Sequence, residues 1–511
     1  MTNTDGLNAV ETDLPSSLLR YANWRFDQLL NADHWIPASL INAWPWKAKS
    51  RLRFSALPSE VLAEILKHAH WRDLLMVRQV CKQLNDVSRT RAVWTSQYQS
   101  YLAEKEFRLA AEAPIDMYSS AELESWVLQR RSADKEWEIT NPVRERSIFL
   151  DYKTYTLTMV PGGRWLLAAL SDGSVLCYDL EDPNMRSTVL TPPRDDPNGD
   201  LIYDLTVDID QSNPTLSFCM VNYPSDYFNL AQPVTGSDLT IWRINLRGHG
   251  SSAYLEAHFL HSFPATELST TILSVSLSGD LLARLVYTSQ FRSYIEVFDW
   301  RASTALVHRR TVIFPKRTER PYSVVLLPGR QLAFVSIRNV TVYDIDIMAD
   351  DRPIAPIIPQ SPSEVRWALF DSDGDFVFQH HQSSLDTKAV TLVLTSNHRM
   401  IYHLTIPHNP DSTPHLVHHG KTTQEYCFYT VGREKAFGEK DKSTLVKVGM
   451  AHELDLGTTE CELNVSRIPK MSLQSQSRYF PPPILSEDIG RIVTKMDSHV
   501  FILDTYRSPV M

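Results

Sequence analysis

The chain has 511 residues, 43% of them hydrophobic and 22% charged, which is enough length for roughly two to four domains and at least one large core. Its net charge of −9 is spread without a long block of one sign, so no nucleic-acid footprint and no membrane-surface patch is expected. Five cysteines (Cys81, Cys177, Cys219, Cys427, Cys461) lie far apart with no CxxC pair, which implies reduced, mostly buried thiols and neither a zinc site nor a disulfide framework.

Residues 1–50 read as a lead-in. Met1 to Asp13 are polar and acidic where a secretory leader needs a basic start and an apolar stretch, and no later apolar run is long enough to span a bilayer. A cytoplasmic or nuclear protein with no membrane partner is the expectation. Trp24, Trp35, Trp44 and Trp46 stand among polar residues, Pro37 and Pro45, suiting a short helical or irregular segment. From Leu57 to about Glu138 the apolar spacing is helical, and beyond about Ile139 it changes to short β-type runs separated by Gly, Pro, Asn and Asp. That change of period divides a helical unit (51–98) and a helical linker (99–138) from a β-rich region (139–511).

The helical unit opens with Leu57-Pro58-Ser-Glu-Val-Leu-Ala-Glu-Ile-Leu-Lys67. Pro58 fits the first turn, where its missing N–H would be unpaired anyway, and Glu60 lies near the positive end of the helix dipole. Val61, Leu62, Ile65 and Leu66 recur as one apolar stripe, with Glu64 and Lys67 toward the polar side. After Trp71, Asp73 is positioned to cap a second helix carrying Leu74, Leu75, Val77 and Val80. Cys81 to Val87 reads as a third, and Trp94 closes the unit. A core built from some forty residues is marginal alone and gains by docking on something larger.

In order and spacing, Leu57-Pro58, Asp73-Leu74-Leu75, Val80-Cys81-Lys82 and Trp94 resemble the F-box motif over residues 54–97. Two positions depart from the family's commonest pattern: Leu84 stands where Trp or Phe is frequent, and Ala69 where a Leu often ends the first helix. The resemblance implies docking on the Skp adaptor and through it on a cullin scaffold. Carried over by position, the contact residues are Leu57, Pro58, Val61, Ile65, Leu74, Leu75 and Val80, an apolar helical surface suited to a stable assembly subunit. The plainer reading of the same residues is an inward-facing three-helix core.

Downstream, Ser119-Ser-Ala-Glu122 is a capping box for a helix with Leu123, Trp126 and Val127 and a charged end from Arg130 to Glu136. It reads as a solvated spacer, stiff enough to set the distance between the two ends of the chain.

The β-rich region repeats weakly. Trp165 to Leu170, Ser-Asp-Gly-Ser, then Val175 to Leu180 is a hairpin with a Gly-containing turn. Comparable runs occur at Leu239–Ile244, Tyr294–Asp299, Val340–Asp344, Met400–Leu404, Leu445–Val448 and Val500–Asp504, several preceded by a strand and turn, such as Val324–Gly329 and Trp367–Gly374. Spacings of about 45 to 60 residues fit four-stranded blades. The region resembles WD-repeat-like propellers, without the Gly-His and Trp-Asp marks of a regular repeat. The fold expected is therefore α+β multidomain: a small all-α three-helix F-box unit and linker helices, then an all-β, about seven-bladed propeller-like domain. A β-sandwich pair or an irregular β-rich domain is the alternative. Asp179, Asp299, Asp344 and Asp504 read as a functional ring or, more simply, as turn-favouring strand ends.

No Gly-x-Ser-x-Gly elbow, phosphate-binding loop or His-Glu-x-x-His pair occurs, so no catalytic residue, cofactor or metal is assigned. His403, His408, His415, His418 and His419 cluster in a Pro-broken stretch that suits scattered histidines better than a convergent metal site. The sequons at Asn339 and Asn464 carry little meaning in an intracellular chain. The resemblances imply a non-catalytic substrate-recognition subunit of a Skp-cullin-F-box ubiquitin ligase, whose β-rich part binds an unknown protein substrate. The alternatives are an F-box-containing scaffold acting outside a ligase and, as a minor third reading, a propeller enzyme.

Overall fold

A computed structural model describes residues 57–104, 111–136 and, between 144 and 504, twenty-eight strands with their tighter turns. The chain divides into residues 1–58 and residues 59–511, and of the first unit only Leu57 and Pro58 are described. The tryptophans of the lead-in lie outside the described residues.

The second unit opens with four helices: α1 (Ser59–Lys67), α2 (Trp71–Val77), α3 (Lys82–Ser88) and α4 (Arg91–Glu104). Glu60 in the first turn of α1 and Lys67 in its last both complement the helix dipole. The cap of α2 is His70, whose Nδ1 accepts a hydrogen bond from the Arg72 amide at 3.3 Å. Asp73, expected as the cap, instead occupies the first turn, because Trp71 turns inward and the helix starts three residues earlier. The buried set is Leu62, Leu66, Trp71, Leu74, Val77, Leu84, Val87, Val93 and Trp94. Gln97, also buried, donates to the carbonyls of Lys67 and Ala69 at 3.1 and 2.9 Å, closing the C-terminal end of α1.

Helix α5 (Ser120–Glu136) starts as the capping box requires: Glu122 N–H donates to Ser119 Oγ at 3.2 Å, and Ser119 N–H donates to Glu122 Oε2 at 2.7 Å. It is not the solvated spacer expected. Leu123, Trp126, Val127, Leu128, Arg130 and Ala133 are all buried, and Trp126 meets Tyr98 and Tyr101 of α4 with ring centroids 4.7 and 5.7 Å apart.

The strands form seven four-stranded antiparallel sheets among the described residues. Strand β1 (Arg144–Phe149) stands apart from the first of them. Sheet 1 holds β2 (Thr154–Met159), β3 (Trp165–Leu170), β4 (Val175–Asp179) and β5 (Ser187–Thr191). Sheet 2 holds β6 (Tyr203–Ile209), β7 (Ser217–Pro224), β8 (Leu239–Arg247) and β9 (Tyr254–Phe263). Sheet 3 holds β10 (Thr270–Ser278), β11 (Leu281–Thr288), β12 (Ser293–Asp299) and β13 (Arg309–Ile313). Sheet 4 holds β14 (Pro321–Leu327), β15 (Gln331–Ser336), β16 (Asn339–Asp344) and β17 (Trp367–Phe370). Sheet 5 holds β18 (Phe378–Leu385), β19 (Ala389–Ser396), β20 (Met400–Pro407) and β21 (His415–Lys421). Sheet 6 holds β22 (Cys427–Val431), β23 (Lys435–Lys440), β24 (Thr444–Gly449) and β25 (Asn464–Arg467). Sheet 7 holds β26 (Ile484–Ser486), β27 (Arg491–Met496) and β28 (His499–Asp504), with β1 added as its fourth strand.

The first strands of the sheets, β2, β6, β10, β14, β18, β22 and β26, adjoin one another in turn, and β26 returns to β2. A sandwich has no such cycle; this is a propeller. Apolar layers fill the wedges between sheets. Leu166, Ala168, Tyr178, Val493 and Ile502 lie between sheets 7 and 1, Leu167, Cys177, Phe218 and Ile244 between sheets 1 and 2, and Val221, Ile241, Leu282 and Phe298 between sheets 2 and 3. Neighbouring inner strands are not backbone-paired, and hydroxyls fill part of that gap. Thr206 Oγ1 donates to the Val275 carbonyl at 3.0 Å, while Ser276 Oγ accepts from the Leu326 amide at 2.9 Å.

The seven runs singled out in the sequence all fall on the third strand of a sheet: β4, β8, β12, β16, β20, β24 and β28. Trp367 to Phe370, read as the strand of a following unit, is instead the outermost strand of sheet 4, paired with β16. The four aspartates end third strands and sit opposite the first residue of the second strand: Asp179 faces Trp165, Asp299 faces Leu281, Asp344 faces Gln331 and Asp504 faces Arg491. Asn245 holds the same register opposite Ser217. They are a structural repeat at strand ends.

Closure rests on β1 pairing with β28. Asp504, fully buried, accepts from Arg491 Nε at 2.6 Å with one oxygen and from Arg146 of β1 at 2.8 Å with the other. Arg491 Nη1 also donates to the Gly163 carbonyl of sheet 1 at 2.7 Å. Gly163 has φ of 75°, and a Cβ there would collide with Ile489 Cδ1, so glycine is required at this junction. Replacing Asp504 by Asn removes the carboxylate that both guanidinium groups share and leaves Arg491 with Glu181 at 3.2 Å, and Asp504→Asn is expected to cost about 3–5 kcal/mol, measured as a lowered urea midpoint at unchanged slope.

Candidate partner-binding site

The structure separates the predicted contact residues into two sets. Leu74 is fully buried in the helical core and is withdrawn from the contact surface, since exposing it would open the unit. Val61 and Ile65 lie one turn apart on α1, half-buried; Leu75 on α2 is half-buried, and Val80, just beyond α2, is 45% exposed. Of the two residues before α1, Leu57 is half-buried and Pro58 exposed.

One residue is added. Met76 is 46% exposed beside Leu75. The signal for it was the unbroken run Leu74-Leu75-Met76-Val77: on a helix, Trp71, Leu74 and Val77 take the inner face, so Leu75 and Met76 must take another. A helix of this size with two apolar faces is half-partnered by its own chain.

The helices are tied to α5 by charge. Arg78, at the end of α2, pairs with Glu124 of α5, and its Nε donates to Ser88 Oγ at 3.0 Å. Arg131 of α5 holds Glu104 of α4 through both guanidinium nitrogens, and this hydrogen-bonded pairing keeps the Glu104 carboxyl below its ordinary range.

The segment 111–136 is in turn fixed on the ring. Arg164, in the turn between β2 and β3, is the hub. It donates to both oxygens of Asp179 at 2.9 and 2.6 Å, to Glu112 Oε2 at 3.1 Å and to the Gly250 carbonyl at 2.8 Å. The Glu112 carbonyl accepts from the Leu216 amide at 2.6 Å. Tyr118 stacks edge-on against His249 at 4.6 Å, and His249 Nε2 lies 3.3 Å from Glu122. Burial pushes the Glu112 carboxyl upward against the pull of Arg164. Arg130 lies over the Trp126 ring at 3.7 Å and is attracted to Asp488 in the turn between β26 and β27; its burial lowers its pKa.

All these ring contacts come from turns linking first to second or third to fourth strands, at sheets 7, 1 and 2. The linker therefore lies on one face of the propeller, against three of its seven sheets. Residues 195–201, 226–237 and 264–269, which link second to third strands or one sheet to the next, lie outside the described residues.

Other candidates carry less. His403 and His415 sit on adjacent strands, opposite Val417 and Thr405, while the side chains of His408, His418 and His419 lie outside the described residues. No group of His, Cys, Asp and Glu among the described residues has a metal-binding arrangement. Cys81, Cys177 and Cys219 are free thiols, and burial raises the latter two. The sequon residue Asn339 is buried and accepts a hydrogen bond from Ser336. No helix among the described residues is long and apolar enough to cross a membrane.

A family model described as F-box-like matches residues 54–100. Residues 54–100 form an F-box-like domain. The match ends inside α4, so the F-box-like domain and the linker share that helix. No curated protein matches the chain. Among solved structures, the β-propeller domain of Cps50 (Swd1) from Myceliophteria thermophila is similar at 9% identity and a TM-score of 0.42, covering 71% of this chain and 99% of that one. A complex of KlAtg21 with the coiled coil of AgAtg16 is similar at 14% identity and a TM-score of 0.31, covering 52% and 70%.

If Arg164 is the hub, Arg164→Met detaches the linker while the ring stays closed. Amide hydrogen exchange over residues 112–136 should then quicken at least tenfold, with the strands of sheets 3 and 4 unchanged.

Proposed function

We propose that this protein is the substrate-recognition subunit of a Skp-cullin-F-box ubiquitin ligase. The observation that carries the reading is the F-box-like unit with two apolar faces: Leu62, Leu66, Leu74 and Val77 fill its own core, while Val61, Ile65, Leu75, Met76 and Val80 remain for a partner. The Skp adaptor takes that second face, with Leu57 and Pro58 contributing from the segment before α1, and the cullin scaffold follows through the adaptor. The propeller binds a protein substrate on the face the linker leaves uncovered.

In this reading the chain makes and breaks no bond. Its contribution is position: the charge-tied linker holds the adaptor-bound helices at a set orientation to the substrate face, so an acceptor lysine meets the ubiquitin donor at high effective concentration.

The test is co-purification of the adaptor and cullin with the full chain. Wild type should recover both; Leu57→Ala/Pro58→Ala and, separately, Met76→Lys/Val80→Lys should lower recovery at least tenfold with unchanged thermal unfolding. Equal recovery by all variants, or none by wild type, would sink the proposal. Adaptor recovered without cullin would instead mark a scaffold outside a ligase.

A further inference from the structure

The outermost strand of each sheet presents one row of backbone N–H and C=O groups to the outside, a template that proteins ordinarily blunt with short strands, basic residues or proline. Most outer strands here follow that rule. β5 has 5 residues and β17 and β25 have 4 each; β1 opens Arg144-Glu-Arg146, and β13 opens Arg309-Arg310. β9 does not. It runs for 10 residues, Tyr-Leu-Glu-Ala-His-Phe-Leu-His-Ser-Phe, without a Lys, Arg or Pro. It pairs with β8 and with no other described strand. Three of the molecule's exposed large hydrophobic residues lie on it: Tyr254 and Phe259 at 55% and Leu260 at 40% exposure.

The sequence of β9 is also complementary to itself. In an antiparallel pairing of two copies centred on Ala257, Glu256 of one faces His258 of the other, twice, and Leu255 faces Phe259, twice. Same-face residues stay on the same face, as an in-sheet pairing demands. Glu256 and His258 lie 3.2 Å apart within one chain, with Arg247 2.6 Å from Glu256 on β8, so the second copy would extend an existing row in which carboxylate alternates with guanidinium and imidazole. The bulge at Leu260, where the register with β8 shifts between Ile241 and Trp242, ends the flat part of the strand and limits the pairing to this segment.

We infer that β9 is a homodimerisation edge: two copies of this chain join sheet 2 to sheet 2 across a two-fold axis at Ala257, forming one eight-stranded sheet between two propellers. The inference is independent of the ligase reading. It uses no residue of the helical unit.

The full chain, measured by sedimentation equilibrium over the micromolar range, should show a mass of twice 58.4 kDa. Phe259→Lys places a charge on the edge and should return the monomer. Glu256→Lys should raise the dimer dissociation constant at least tenfold, and Glu256→Lys/His258→Glu, which restores opposite charges across the axis, should bring it back. Each variant is checked for an unchanged cooperative melt, and the charge pair still decides if Phe259→Lys fails to fold. A wild type that stays monomeric overturns the inference, even if the edge captures an extended segment of another protein. So does a dimer indifferent to Phe259→Lys, or a double variant no tighter than Glu256→Lys.

Discussion

Everything in the β-rich region depends on the circle closing. Each sheet has two apolar faces and cannot bury both alone, so every wedge is stable only between two neighbours, and the last must meet the first. The pairing of β1 with β28 satisfies that demand by placing the first strand of the region into its last sheet. Asp504 gathers the junction: Arg491 from its own sheet and Arg146 from β1 meet on one buried carboxylate, and Arg491 reaches on to sheet 1. A buried charge cluster of this kind adds little over an apolar core in energy but is costly to leave incomplete. It sits at the seam where the two ends of the region meet.

The linker exploits that closed frame. Segment 111–136 reaches the turns of sheets 7, 1 and 2, the seam and the two sheets after it. Arg164 serves both roles, closing the end of β4 through Asp179 and holding Glu112 of the linker. The helical unit is thereby held to one face of a rigid body. A module too small to be stable alone gains a large foundation on one side and keeps an apolar face free on the other. The proposed role rests on this division of surfaces.

Much of this was legible in the chain. The ordered Leu-Pro, Asp-Leu-Leu, Val-Cys-Lys and Trp positions marked the helical unit, although only Leu74 and Trp94 among them are core and the others lie half-buried or exposed on its surface. Third strands such as Val340–Asp344 stood out because they are paired on both sides and packed between neighbouring sheets, which selects near-continuous Val, Ile and aromatic runs. Inner strands such as Tyr203–Ile209 did not, because they alternate buried apolar residues with Asp204, Thr206 and Asp208. Outer strands such as Ser187–Thr191 are short and half-exposed and look like loop.

The sequence by itself determined the local choices: which stretches have a helix's or a strand's period, and that Ser119 and Glu122 would cap α5. Local interactions within a turn or a hairpin suffice for these. Only the tertiary structure decided which apolar residues face inward. Leu74 and Leu75 are identical in chemistry and adjacent in sequence, yet one is core and the other surface, because the 100° between them on a helix matters only once Leu84 and Trp94 stand on one side. The same holds for Arg130, which composition places in water and packing places over Trp126, and for Asp504, whose partner Arg146 lies 358 residues away. Contacts at that separation leave no local trace, since each residue's pattern is set by its nearest neighbours in the chain and its role by neighbours in space.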